Sequence, residues 1–188
     1  IQAAIWDGDS GTWTSPTTFT ACGAGSVIGT DAVDVQFVLG GTNAGEVVAV
    51  GANGSQLLAK VWRPGSGWCG TTTVFDLGVG NSIRWLRLAA EPNGHRMVLA
   101  PLDDSRRILT ATYDGNARTW SAASPAHTST AYGSPASNRP FDVVWDEASG
   151  ADNVQLVFSD DTGIYAALSV TGGAAFNSPN VLDAANRA

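Results

Sequence analysis

The chain has 188 residues, of which 44% are hydrophobic and only 14% are charged, and its formal net charge is −7. This hydrophobic fraction excludes wholesale disorder, and the scarcity of charge argues against long solvated helices and coiled coils. An acidic surface repels phosphate, so nucleic acids and anionic membranes are not expected as partners. No apolar run is long enough for a helix that would insert into a membrane.

The first feature along the chain is a segment that returns three times. The letters AAIWDGDSGTW at 3–13 are similar to LAKVWRPGSGW at 58–68, to LTATYDGNARTW at 109–120 and, more distantly, to YAALSVTGGAAF at 165–176. In each copy an apolar run leads into a turn rich in Gly, Asp or Ser, and an aromatic residue follows. The pattern predicts a strand, a tight turn and a further strand in every copy.

Two more apolar runs precede each of the last three copies. They lie within 34–56, 83–107 and 141–163, and turns rich in Asn, Asp and Gly separate them. Their Val, Leu, Ile and aromatic residues favour strands, and several runs are apolar almost throughout, which indicates sheets buried on both faces. Each unit therefore has the pattern of four consecutive antiparallel strands.

The spacing of the units predicts the architecture. Trp6 and Trp62 are 56 residues apart, Trp62 and Tyr113 are 51 apart, and Tyr113 and Ser169 are 56 apart. Four short strands in a period near fifty residues are typical of β-propeller blades. A β-sandwich does not predict this self-similarity, and a parallel β-helix has much shorter repeats. We therefore expect an all-β, propeller-like array of four-stranded antiparallel blades.

The repeat divides the chain into a half-unit at 1–22 and three full units at 23–77, 78–132 and 133–182. The half-unit has only a third and a fourth strand, and three and a half blades fall short of the smallest closed propeller. We therefore expect a segment of a larger propeller or, as the alternative, an assembly in which another chain supplies the missing strands.

Two of the recurring turns are similar to the Asp-box of sialidase-type propellers, whose outline is Ser-x-Asp-x-Gly-x-Thr-Trp. The matching residues are Asp9, Gly11, Thr12 and Trp13 in the first copy, and Asp114, Gly115, Thr119 and Trp120 in the third. The turn at 63–68 has no aspartate. The resemblance implies a propeller scaffold in which the aspartate bonds the amides of the turn and the tryptophan packs.

We accordingly expect the aromatic residues of these segments to pack between blades rather than to serve as ligand platforms. They are Trp6, Trp13, Trp62, Trp68, Tyr113, Trp120 and Phe176.

The sequence does not supply the catalytic set that the resemblance would require. Sialidases use three arginines and a Tyr/Glu pair. Arg84 and Arg87 share one predicted first strand, but Val35 and Phe141 stand in the equivalent strands elsewhere. No catalytic, cofactor-binding or metal-ligating residue is assigned, and enzymatic activity is not expected.

Four acidic residues fall in predicted hairpin turns, where we expect solvated side chains that cap the backbone: Asp103, Asp104, Asp160 and Asp161. The alternative is a calcium site, because hard cations bind clustered oxygens. The equivalent turn at 51–55 has no acid, so no cofactor is expected. His95 and His127, the only histidines, are predicted loop residues.

The compartment is predicted from composition. Lys60 is the only lysine, and the richness in Thr, Ser and Gly favours a secreted or cell-surface protein. In that setting Cys22 and Cys69 could form a disulfide; two buried thiols are the alternative. Asn53 begins a glycosylation pattern on a predicted hairpin tip, which matters only in a eukaryotic source.

These observations favour a non-catalytic extracellular module that binds a protein partner or assembles with itself. The alternative is a segment of a carbohydrate-active propeller, either a sialidase-like glycoside hydrolase or a lectin, with carbohydrate as its ligand.

Overall fold

The structure is a computed structural model that contains only β-strands and turns in the parts of the chain that it describes. Those parts are residues 2–18, 32–69, 72–77, 81–127, 139–146, 152–160 and 163–184. Every strand pairing in them is antiparallel. The predicted all-β class is confirmed.

The first strands along the chain form an N-terminal hairpin. Its strands are β1 (Gln2–Ala3), β2 (Trp6–Asp7), β3 (Thr12–Trp13) and β4 (Thr17–Thr18). β1 pairs with β4 and β2 pairs with β3, so the two pairings belong to a single hairpin. This is the arrangement predicted for the third and fourth strands of the half-unit.

The first sheet follows. Its strands are β5 (Val33–Phe37), β6 (Val47–Asn53), β7 (Gln56–Arg63), β8 (Gly67–Trp68) and β9 (Thr72–Asp76). The strands run in sheet order β5-β6-β7, and β8 and β9 both pair with β7. The predicted fourth strand is thus divided into two short pieces. The turn between β6 and β7 is Gly54 and Ser55, at the hairpin tip that the sequence predicted, and Gly54 has φ +61°.

The second sheet repeats this arrangement. Its strands are β10 (Ile83–Ala90), β11 (Arg96–Asp103), β12 (Ile108–Asp114), β13 (Thr119–Trp120) and β14 (Ser124–His127). β13 and β14 both pair with β12, as β8 and β9 pair with β7.

The third sheet has four strands in simple order. They are β15 (Phe141–Trp145), β16 (Val154–Asp160), β17 (Gly163–Ser169) and β18 (Asn180–Ala184). The antiparallel sheets of the repeat are therefore present, whereas closure into a propeller ring and the unit boundaries stay predictions.

The strand registers allow positions to be equated between sheets. Across the second and third strands the matching pairs are Val47 with Trp62, Met97 with Tyr113, and Val154 with Ser169. Across the first and second strands they are Phe37 with Val47, Ala90 with Met97, and Trp145 with Val154. "Equivalent" positions below are those that these pairs align.

The sheets pack face to face and bury two apolar layers. The layer between the first and second sheets includes Val48, Val50, Leu57, Leu88, Leu99 and Tyr113. The layer between the second and third sheets includes Val98, Ala100, Ile108, Val143, Leu156 and Phe158. The second sheet, which contributes to both layers, is buried on both faces. The nearly apolar run VQLVF in the third sheet predicted the same, but there Gln155 is exposed. Trp145 adds a cross-link, because its Nε1 donates to the backbone oxygen of Ala89 at 2.8 Å.

Leu88 and Val35 provide a matched test of this packing, because they are equivalent first-strand positions. Leu88 is 0% exposed between two sheets, whereas Val35 is 51% exposed. We expect Leu88→Ala to lower the free energy of unfolding by about 2–5 kcal/mol, since it leaves a cavity. Val35→Ala should cost well under about 1 kcal/mol, since little buried surface is lost. Urea unfolding followed by tryptophan fluorescence measures both. Equal losses would contradict the stacked arrangement.

Candidate functional site

The first strands β5, β10 and β15 lie side by side and bring three equivalent charged residues into one row. They are Asp34, Arg87 and Asp142. Arg87 lies between the two carboxylates: its Nε donates to Asp142 Oδ1 at 3.0 Å, and its Nη1 lies 3.4 Å from Asp34 Oδ2. Asp34 Oδ2 also accepts the backbone N–H of Leu88 at 2.9 Å. Each charge of the row therefore faces an opposite charge on the neighbouring sheet.

A cavity of about 290 Å³ opens beside this row. It is lined by Val33, Asp34, Trp85, Leu86, Arg87 and Arg139. Arg139 Nη2 lies 3.6 Å from Asp142 Oδ2, so the cluster contains two carboxylates and two guanidinium groups. Because two nitrogens of Arg87 already face carboxylates, its charge is largely compensated within the protein.

The other arginine that the sequence singled out is also paired. Arg84 Nη2 lies 3.7 Å from Asp104 Oδ2. The structure therefore does not bring Arg84 and Arg87 together on one carboxylate-binding site, because each points to an acid of its own.

The expectation of solvated turn acids is wrong for Asp103. Its side chain is fully buried, and its carboxylate accepts Arg107 N at 2.8 Å and Arg107 Nε at 2.7 Å. The hairpin turn folds the arginine back over the acid, which offsets the cost of burying the charge. Asp160 Oδ1 accepts the N–H of Gly163 at 3.0 Å, which is the predicted capping role. Asp161 lies outside the described residues.

The Asp-box-like turn of the second sheet has the predicted local structure. Asp114 Oδ1 accepts the N–H groups of Asn116 at 2.8 Å and Ala117 at 3.1 Å. Arg118 completes the turn in the left-handed region, with φ +57°. The aspartate therefore organises the turn, and this use of its lone pairs leaves it poorly placed as a catalytic base.

The aromatic residues divide into two groups. Tyr113 and Trp120 lie 4.9 Å apart between ring centroids and pack in the layer between the first and second sheets, as predicted. Phe176 packs against the layer between the second and third sheets, also as predicted. Trp62 and Trp68 face each other across β7 and β8 and are half-buried.

The same expectation is wrong for Trp6 and Trp13. Their rings contact each other at 5.4 Å, but they are 51% and 65% exposed. Among the described residues no further sheet covers this hairpin, so the aromatic pair has only itself to pack against.

A buried acid that the sequence did not single out lies between the first two sheets. Glu46, 4% exposed, precedes β6 and accepts Arg118 Nη2 at 2.6 Å. Arg118 Nη2 also donates to Asn43 Oδ1 at 2.6 Å, and Arg63 Nε lies 3.5 Å from Glu46. The residues are 72 positions apart in the chain, so only the packing of the sheets brings Glu46 and Arg118 together.

Tyr113 lies close to this acid, and the pair deserves comparison with the Tyr/Glu pair of sialidases. Burial, and then the negative charge of Glu46, raises the pKa of Tyr113 to about 12. A raised pKa disfavours the phenolate, and the guanidinium of Arg118 occupies the carboxylate that would have to act as a base. The arrangement stabilises the interface and is poorly suited to nucleophilic catalysis.

The second and third sheets are joined by an analogous ion-pair cluster. Arg96 Nε donates to Glu91 Oε2 at 3.0 Å, and Arg96 Nη2 also pairs with Asp152, which shortly precedes β16 of the third sheet. The guanidinium carbon of Arg96 lies 5.2 Å from the ring centroid of Trp145, a cation–π contact. The hydrogen bond from Arg96 is the main cause that lowers the pKa of Glu91 and that of Asp152.

A groove of about 310 Å³ runs beside this cluster. Its lining includes Arg96, Tyr113, Asp114, Trp120, Thr171 and Gly172. It therefore combines an aromatic surface with hydroxyl, carboxylate and guanidinium groups.

The remaining candidates are dispersed. His95 Nε2 lies 3.7 Å from Asp114 Oδ1, and His127 is the last residue of β14. Cys69 is half-buried and its thiol is free, which does not bear out the predicted disulfide; Cys22 lies outside the described residues. Within the described ranges no group of three or more His, Cys, Asp and Glu side chains could hold a metal ion. A membrane-spanning helix is not found among these residues.

Comparison with known proteins does not assign the chain to a family. A scan against protein-family models found no match, and a search of curated proteins found none either. The function must therefore be inferred from the chain itself.

The Glu91–Arg96–Asp152 cluster predicts a specific pH dependence. Because the pKa values of both carboxyls are lowered in the folded state, their contribution to stability is present above their unfolded pKa values, near 4, and is lost as the pH falls through the lower folded values. We expect Arg96→Gln to reduce the urea midpoint at pH 7 and to flatten its fall below about pH 4.5. Arg106→Gln serves as the arginine control. Parallel pH profiles of the wild-type and Arg96→Gln proteins would contradict this role.

Proposed function

We propose that this chain is a non-catalytic extracellular module that binds a protein partner or assembles with copies of itself. The observation that carries the proposal is the pairing of Arg87 with Asp34 and Asp142 at the centre of the array. A substrate-binding arginine needs donors directed at the ligand, whereas two nitrogens of Arg87 are directed at the protein's own carboxylates.

The same pattern holds for the other strong ion pairs. Glu46 pairs with Arg118, Asp103 pairs with Arg107, and Arg96 joins Glu91 to Asp152. These pairs lie between sheets or within turns, where they support the packing. An extracellular location is proposed from the composition, since the scarcity of lysine and the many Thr, Ser and Gly residues favour it.

Exposed apolar side chains support a role in binding. Val33, Val35, Phe37 and Leu39 are each about half-exposed along β5 and just beyond it. A contiguous apolar stripe of this kind is typical of a surface that contacts another protein.

The second candidate function is carbohydrate binding, and the groove beside Trp120 favours it. The rings of Trp120 and Tyr113 contact each other at its wall, tilted by 46°, and Asp114 and Arg96 line the same groove. An aromatic ring beside hydrogen-bonding groups is a general means of holding a sugar ring, with the apolar face of the sugar on the aromatic ring.

Turnover of a glycoside distinguishes the proposed module from a sialidase-like enzyme. We expect the protein to release no fluorophore from a fluorogenic sialic-acid glycoside beyond that released by Arg87→Met, because Arg87 is engaged with Asp34 and Asp142. Arg87→Met should instead lower the urea midpoint, since it leaves Asp34 largely buried without its cation. Turnover by the wild-type protein that Arg87→Met abolishes, with no change in its stability, would establish an enzyme.

Glycan-array binding tests the second candidate. Trp120→Ala is the groove variant, and Trp13→Ala, in the exposed N-terminal pair, is the matched tryptophan control. Binding to one class of glycan that only Trp120→Ala removes would favour a lectin over the proposed protein-binding module.

A further inference from the structure

The third sheet presents a face that is covered in the other two sheets. We call it the open face and define it by Asp142, Val144, Val157, Ile164 and Ala166. The equivalent residues of the first sheet lie against the second sheet, and those of the second lie against the third. On the first sheet, for example, Leu57 is 0% exposed and Ala59 is 1% exposed. Ile164, equivalent to Leu57, is 42% exposed.

The two acidic residues of the charged row also differ in exposure between the first and third sheets. Asp34 and Asp142 are equivalent, and their side chains are 16% and 46% exposed. Asp34 is covered because the second sheet places both the guanidinium of Arg87 and the N–H of Leu88 on its carboxylate. Asp142 has Arg87 behind it and Arg139 of its own strand region beside it, and its other side faces outward.

The alternating charges of Asp34, Arg87 and Asp142 indicate which kind of partner fits the open face. Along the array the charges alternate from Asp34 to Arg87 to Asp142, so each interface joins opposite charges. A second copy of this chain docking head to tail would place its Asp34 beside Asp142, and two carboxylates at that distance repel. A sheet that continues the alternation carries a cation at the position of Arg87, in addition to the partial compensation that Arg139 already gives Asp142.

We propose that the open face binds a further antiparallel sheet of the same repeat whose first strand places a Lys or Arg beside Asp142. This inference rests on the proposed binding and assembly function and deepens it by naming the surface and the chemistry of the partner. The incoming strand covers Val144 and Ile164 with aliphatic side chains, as β10 covers the first sheet. Gln155, exposed on the same face, requires a hydrogen-bonding group from the partner.

The chain itself contains a suitable probe, its own second unit. Residues 78–132, which carry Arg87, are appended after residue 188 of the full chain. The connection from β18 to the appended β10 then has nine residues, between the six that join β9 to β10 and the 13 that join β14 to β15. One face of the appended sheet is then covered and the other is exposed, as is already the case for the third sheet in the native chain.

Ile164→Lys reports whether the open face is occupied. In the unextended chain this substitution should shift the urea midpoint little, because the side chain is half-exposed. In the extended chain it should lower the midpoint clearly, because the lysine would be buried against the appended sheet. The matched control carries Arg87→Asp in the appended copy alone, and here we expect the effect of Ile164→Lys to be largely lost.

Three outcomes overturn the proposal. An appended unit that remains protease-sensitive while the rest of the chain resists shows that the open face does not take a sheet. Equal effects of Ile164→Lys with appended Arg and appended Asp show that charge does not select the partner. Concentration-dependent oligomers of the unextended chain that Ile164→Lys dissolves show that a second copy is the occupant. These experiments measure only stability and association. Sialidase turnover would therefore refute the proposed function, but it would not change the conclusion about the open face.

Discussion

The structure depends on the burial of one sheet face against the next. A single four-stranded sheet cannot bury its own apolar residues, and Leu88, Leu99 and Val143 become fully buried only because a neighbouring sheet lies over them. The ion pairs follow from this packing. Glu46 can be kept 4% exposed because the second sheet brings Arg118 to it, and without that cation the burial of the carboxylate would be costly.

Contacts between turns also hold neighbouring sheets together. The turn between the first two strands of one sheet contacts the Asp-box-like turn of the next: Asn43 Nδ2 donates to the backbone oxygen of Gly115 at 2.7 Å, and Arg118 donates to Glu46. Gly115 is required at this contact, since a Cβ there would lie 2.6 Å from the backbone oxygen of His95. In the second sheet, the Asp-box-like turn therefore helps to pack one sheet against the next.

Arg87 at the candidate site shows how ion pairing within the protein limits the binding of a ligand. Arg87 lies on the first strand of its sheet beside a cavity, yet its charge is directed to Asp34 and Asp142. Charges that are satisfied within the protein contribute to the alignment of sheets and little to the recognition of a ligand. Among the described residues, the surfaces available for recognition include the apolar residues of β5, the groove beside Trp120 and the open face of the third sheet.

The sequence by itself determined the strands, the hairpin tips and the repeat, because alternating apolar residues and turn residues such as Asn53-Gly54 act through local backbone preferences. It also predicted that Tyr113 and Trp120 pack between sheets. Only the tertiary structure decided which charges meet and which aromatic residues are buried. Arg87 lies 53 residues from Asp34 and 55 from Asp142, and no local rule relates them. Trp6 with Trp13 has the same local pattern as Tyr113 with Trp120, but it stays exposed, because burial is set by the neighbouring sheet rather than by the segment itself.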